Sequence, residues 1–159
     1  MFTTYSSLQI LLLIAVAMIL TAIAVMDIRT RRIPDMLNVA LLLCGVAAIY
    51  VFPEVHPGAR FIGLFAVSLP LLLFTFVVKD SFGMGDVKLM AAAGFLLGWR
   101  YAISAFLLGI LLGGIYGAVL LISRRRSARE HFAFGPCLAV GIITALAAGE
   151  TMTHYFPLP

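Results

Sequence analysis

Two acids in this chain are placed where they could do chemistry. Asp86 stands in the run Phe82-Gly83-Met84-Gly85-Asp86-Val87-Lys88-Leu89, behind two glycines and ahead of an apolar stretch. Asp27 closes the first apolar stretch. An ionisable side chain at membrane depth is costly, so its presence there points to a function. Two carboxylates that meet cannot both ionise cheaply; they share a proton and titrate as a pair. Such a pair can hydrolyse a peptide bond. The ionised member takes a proton from water as it attacks the carbonyl, and the protonated member donates to the carbonyl oxygen. Gly83 and Gly85 would give an extended substrate backbone room to approach. The same acids could instead carry protons or cations through a small transporter. A third reading is an assembly subunit whose glycines serve only packing.

The other polar residues have ordinary explanations. Asp35 follows Pro34 at the start of an apolar run, a position that suits a capping acid; it is also the rival to Asp27. Asp80 lies beside Lys79 and reads as solvated, and Glu150 lies towards the opposite face. Lys88 is two residues past Asp86 and need not share its side of a helix. It either snorkels to the headgroups or favours an ionised carboxylate nearby. His56, His131 and His154 are scattered and read as interfacial residues. Cys44 and Cys137 lie in apolar runs as small hydrophobes, and no Cys-x-x-Cys pair exists. No metal and no cofactor is implied.

These acids must be positioned by membrane helices. Of the 159 residues, 63% are hydrophobic and 11% charged, against about 45–50% apolar and about 25% charged in soluble domains. The formal net charge of +4 therefore speaks to membrane topology, and nucleic acid is not expected as a partner. Membrane lipid is. About 20 apolar residues cross the hydrocarbon core, and six runs approach that length: 8–26, 36–52, 61–78, 87–97, 102–122 and 134–148. The expected fold is all-α, a polytopic membrane bundle of about six helices forming one domain over residues 1–159. Met1–Ser7 carries no Lys or Arg, so the first run reads as a permanent span rather than a secretory signal.

Arg29, Arg31 and Arg32 follow the first run, Lys79 and Lys88 flank the third gap, and Arg124, Arg125, Arg126 and Arg129 fill the fifth. Only Arg60 and Arg100 fall on the other side. Basic residues gather on the cytoplasmic side, so both termini are expected outside and both acids at the inner face. Arg124–Arg126 reads as an anchor on anionic headgroups. Gly94 and Gly98, and Gly109, Gly113 and Gly117, have the spacing of close helix packing.

The run Gly83-Met84-Gly85-Asp86-Val87-Lys88-Leu89 resembles the GxGDxKL signature of type IV prepilin peptidases, which are intramembrane aspartic proteases. Asp27 followed by Arg31-Arg32-Ile33-Pro34 is similar to their first motif, and Phe134-Gly135-Pro136 to a later one. The three motifs occur in order, and the resemblance covers Asp27 to Gly141. It implies cleavage of the short basic leader of prepilin-like precursors at the inner face of the cytoplasmic membrane. Asp27 and Asp86 match the family's catalytic pair, with Gly83, Gly85, Lys88, Pro34, Gly135 and Pro136 shaping the site or meeting substrate. Asp35 stands where Asn is common, and Ala133 where Pro is. Larger members carry a cytoplasmic Cys-x-x-Cys domain that goes with N-methylation; the loop after Asp27 is short and has no Cys. The resemblance thus implies peptidase activity without methylation, as in tight-adherence pilus peptidases, with archaeal preflagellin peptidases as the second likeness.

Overall fold

The structure is a computed structural model that describes residues 6–78, 82–122 and 134–155. These form seven helices: α1 (Ser7–Thr30), α2 (Asp35–Val51), α3 (Pro57–Ala66), α4 (Ser68–Val77), α5 (Met84–Leu97), α6 (Trp99–Ile122) and α7 (Gly135–Tyr155). No strand occurs among the described residues. The Lys79–Asp80 pair and the Arg124–Arg129 cluster lie outside them, as do His131, Ala133 and the side chains of Glu150 and His154.

The six apolar runs all become helix, and the fold is an all-α membrane bundle. α1, the α3–α4 pair and Trp99–Val119 of α6 are long and apolar enough to cross a membrane. α2 and the Gly135–Ala147 part of α7 are shorter apolar helices. The third run is broken rather than continuous. Val67 leaves the helix between α3 and α4. Pro70 lacks the N–H that would have bonded one turn back, and the Ser68 hydroxyl donates to the Leu64 carbonyl. Pro and serine back-bonding are recognised causes of helix kinks.

Helix ends are fixed by local chemistry. Ser6 and Gln9 form a reciprocal capping box at the start of α1, satisfying two of its orphan N–H groups. Gln9 Nε2 also donates to the Val51 carbonyl at 3.2 Å, which ties the start of α1 to the end of α2. Arg31 ends α1 in the left-handed region with φ 53°, and so turns the chain sharply towards α2.

α5 is the centre. It touches α2, α3, α4, α6 and α7, and from Asp86 to Leu97 all but Lys88 and Ala91 are buried. Fourteen residues rise only about 21 Å, less than the hydrocarbon thickness of about 30 Å. Neighbouring helices, rather than lipid, cover most of its surface. α3 crosses it where Gly63 meets Gly94; a Cβ on either would run into the other's backbone carbonyl. Gly141 likewise lies on the Ala105 carbonyl, and Gly109 on Leu138, between α7 and α6. Such contacts depend on small residues because lipid removes the hydrophobic drive between helices. Gly117 departs from this pattern: among the described residues nothing lies within 4 Å of a Cβ added there.

Arg60 corrects the count of basic residues outside the helices. It lies in the first turn of α3 and is 1% exposed. Its guanidinium donates to Ala48 O at 2.9 Å, Phe52 O at 3.0 Å and Leu96 O, and Nε to Val55 O at 3.4 Å. The last carbonyls of a helix have no intrahelical partner. Arg60 supplies donors to those at the ends of α2 and α5, so its charge is spent inside the bundle.

Candidate active site

Asp27 lies in the last turn of α1 and is buried. Its Oδ2 accepts a 2.8 Å hydrogen bond from the N–H of Gly135, the first residue of α7. The local sequence explains this bond. Pro136 has no N–H, while Cys137 and Leu138 donate back to Phe134 O. The free donor of that first turn is Gly135, and the carboxylate takes it. A Cβ at Gly135 would stand 2.7 Å from the same oxygen, so any other residue here would push the Asp27 carboxyl aside.

Asp86 is also buried. Helix α5 starts at Met84, three residues before the apolar run, so Asp86 sits inside its first turn rather than ahead of it. Gly83 is the N-cap, extended at φ −71° and ψ 142°, and its carbonyl accepts from the Asp86 N–H at 3.0 Å. Gly83 packs against this acid, with Oδ2 3.3 Å from where a Cβ would be. Asp27 holds Gly135, the neighbouring Phe134 packs on Phe82, and Gly83 lies against Asp86. The end of α1 and the start of α5 thus bring both acids to the same end of the bundle, on either side of the Phe82–Phe134 contact.

The link between α1 and α2 closes over this end. A Cβ on Gly85 would sit 3.0 Å from Ile33 Cβ, so glycine lets the Arg31–Pro34 segment lie on α5. Pro34 is the N-cap of α2. Lys88 turns away from the acids: its Nζ lies 2.7 Å from Asp35 Oδ1 and 2.8 Å from Oδ2. This ion pair is exposed on both sides and bridges α2 to α5. Asp35 therefore stands with Lys88 at the rim, not with Asp86.

Two features gain a role only from the structure. Phe82 packs edge-on to Phe134, with centroids 5.4 Å apart, and to Phe74 at 6.0 Å. These rings wall the site where Gly83 and Gly135 adjoin them. Aromatic residues in so apolar a chain do not stand out. Asn38, one turn into α2, is buried, and among the described residues neither of its side-chain polar atoms has a partner.

The model of the type IV leader peptidase family matches residues 14–118. This chain belongs to that family. It is 30% identical over 138 residues to the prepilin leader peptidase/N-methyltransferase of Bacillus subtilis (strain 168), covering 87% of this chain and 56% of that one. To proteins of the same name it is 33% identical in Aeromonas salmonicida (strain A449), over 87% of this chain and 49% of the relative. The Pseudomonas aeruginosa protein is 32% identical over 86% of this chain and 49% of its own length. The chain spans about half the length of these curated relatives. No solved structure matches it.

Proposed function

We propose that this chain is an intramembrane aspartic endopeptidase that removes the short basic leader from type IV prepilin-like precursors. It cuts at the cytoplasmic face of the inner membrane, with both chain termini outside, and does not N-methylate the new terminus. The observation that carries this reading is that Asp27 and Asp86 are both buried at the same end of the bundle, linked through Gly135, the Phe134–Phe82 contact and Gly83. Burying two like charges in one region is unfavourable without a use for them.

The chemistry uses both carboxyls. The ionised one takes a proton from water while the water oxygen bonds to the scissile carbonyl carbon. The protonated one gives its proton to the carbonyl oxygen. The tetrahedral intermediate then breaks its C–N bond: the leaving nitrogen takes a proton from one carboxyl, and a hydroxyl of the intermediate returns its proton to the other carboxylate, which restores the dyad. Gly135 holds one oxygen of Asp27 and leaves the other for water. Gly83 and Gly85 keep the approach narrow but open, and Pro34 and Pro136 fix the helix starts on either side. Lys88, through Asp35, ties the basic α1–α2 link to α5. Arg29, Arg31 and Arg32 at this end support the cytoplasmic placement.

The relatives are named for two activities, and this chain matches about half of each. Its only cysteines, Cys44 and Cys137, are half-buried in α2 and α7. Neither lies in the short link after Asp27, which supports the reading without methylation. Preflagellin-type precursors are the second substrate class.

Co-expression with a panel of prepilins and preflagellins, with the leader followed on a gel, tests the reading. The wild type is expected to shorten at least one precursor. Asp27→Asn and Asp86→Asn should each abolish cleavage while still inserting into membrane. Mass spectrometry of the product should show an unmethylated terminus. Cleavage by both Asn variants would rule out the dyad. A wild type that cleaves nothing would leave proton or cation coupling as the use of the two acids.

A further inference from the structure

We propose that Asn38 is a substrate-binding residue, its side-chain amide pairing with the backbone of the precursor where that chain passes the two acids. The inference rests on the peptidase reading. Asn38 is 5% exposed, yet among the described residues neither its Nδ2 nor its Oδ1 has a hydrogen-bond partner. Leaving buried polar groups unpaired is unfavourable, and native proteins rarely keep them without a use. A leucine at this position would fill similar space without that penalty.

Its place in the fold says what the use is. α2 and α5 run side by side in the same direction. Asp35 is tied to Lys88 near their starts, and Gly45 packs on Phe95 and Leu96 further along. Asn38 belongs to the buried stripe of α2 with Leu41, Gly45 and Ala48. It lies between those two tie points, one turn past Asp35, at the level of α5 one turn past Asp86. The same α2–α5 seam has an exposed ion pair at its rim and an unpaired amide just inside. Both acids are covered in this structure, so a precursor must part helices to reach them. The exposed Asp35–Lys88 pair is a weak tie across this seam, because exposed ion pairs contribute little. An asparagine amide offers one acceptor and two donors. That complements a peptide group, which offers one N–H and one C=O. An extended chain entering the seam would satisfy both orphaned atoms at once.

The test is steady-state cleavage of a synthetic precursor, spanning leader and first mature residues, by the purified full chain in detergent. Asn38→Leu and Asn38→Ala are compared with the wild type, and melting is recorded for each. Losing hydrogen bonds to substrate should lower kcat/KM by about 5- to 100-fold, mainly through KM. Asn38→Leu should melt no lower than the wild type. Asn38→Ala guards against a leucine that does not fit. The proposal is overturned if a folded variant keeps kcat/KM within about fivefold, the lower end of that expected range. It is overturned equally if the loss tracks a lower melting temperature or resides in kcat alone. A wild type that cleaves no precursor defeats the peptidase reading and this proposal together; an active wild type with an equally active Asn38→Leu defeats this one only.

Discussion

Asp27 at the end of α1 holds the first N–H of α7 through Gly135, 108 positions later, at 2.8 Å. The bond fixes the carboxyl's orientation and consumes one of its oxygens. It also leaves no room for a side chain at Gly135. Gly135→Ala should therefore displace Asp27 or α7. A displacement near 1 Å at reacting groups costs on the order of a hundredfold in rate. Cleavage of a precursor by Gly135→Ala should fall by that order while the protein still inserts, as read by gel and membrane fractionation.

The shared proton makes a second prediction. If Asp27 and Asp86 act as a pair, kcat/KM against pH should be bell-shaped, with two apparent pKa values belonging to the pair. Asp35→Asn should leave both limbs where they are, since Asp35 faces Lys88 at the rim. A limb that moves in Asp35→Asn would bring Asp35 into the reacting group.

The Asp35–Lys88 pair itself should matter little for stability. Both partners are exposed, and exposed pairs contribute about 0.2–1 kcal/mol. A double-mutant cycle of Asp35→Asn and Lys88→Met, read by thermal melting in detergent, should give a coupling in that range. The coupling should shrink in high salt.

The two acids were legible because charge in an apolar chain is conspicuous, and the three motifs fixed their neighbourhood. Helix existence was legible for the same reason: apolar runs of that length have few alternatives. Helix ends were less so. α5 begins at Met84 because extended Gly83 caps it, and α3 begins at Pro57 because proline suits a first turn. Apolar periodicity cannot see either. Pro70 was visible, but the break it makes at Val67 depends also on Ser68. Arg60 looked like a loop cation because its partners are backbone carbonyls, which no side-chain pattern reveals. Asn38 carries no signal in the sequence, because a buried amide without a partner is visible only in three dimensions.

The α3–α5 crossing should be intolerant of added volume. A Cβ on Gly94 meets the Gly63 backbone, and one on Gly63 meets Gly94. Backbone cannot rotate aside as a side chain can. Gly94→Ala should lower stability by about 1–3 kcal/mol, the usual cost of overpacking. By contrast, Gly117→Ala, at an open position, should melt with the wild type or slightly above it. Melting curves of the two variants check the contrast.

Arg60 sets the last expectation. It sits at the end of the bundle opposite the acids and joins the carbonyl ends of α2 and α5. Arg60→Met keeps the apolar stem and removes the donors, leaving the carbonyls of Ala48, Phe52 and Leu96 without this partner in a buried place. Ala48 O and Phe52 O still accept from the N–H groups of Phe52 and Val55, so the loss falls mainly on Leu96 O; an unpaired buried group costs about 1–3 kcal/mol, and the variant should be destabilised by about that much. Arg60→Lys restores the charge but not the planar fork that reaches several carbonyls at once, and should recover only part of the loss. Since the effect works through packing, both variants should lose cleavage in step with their folded fraction. Activity per folded molecule should stay near the wild type. A variant that folds fully but does not cleave would show instead that Arg60 reaches the acids through α5.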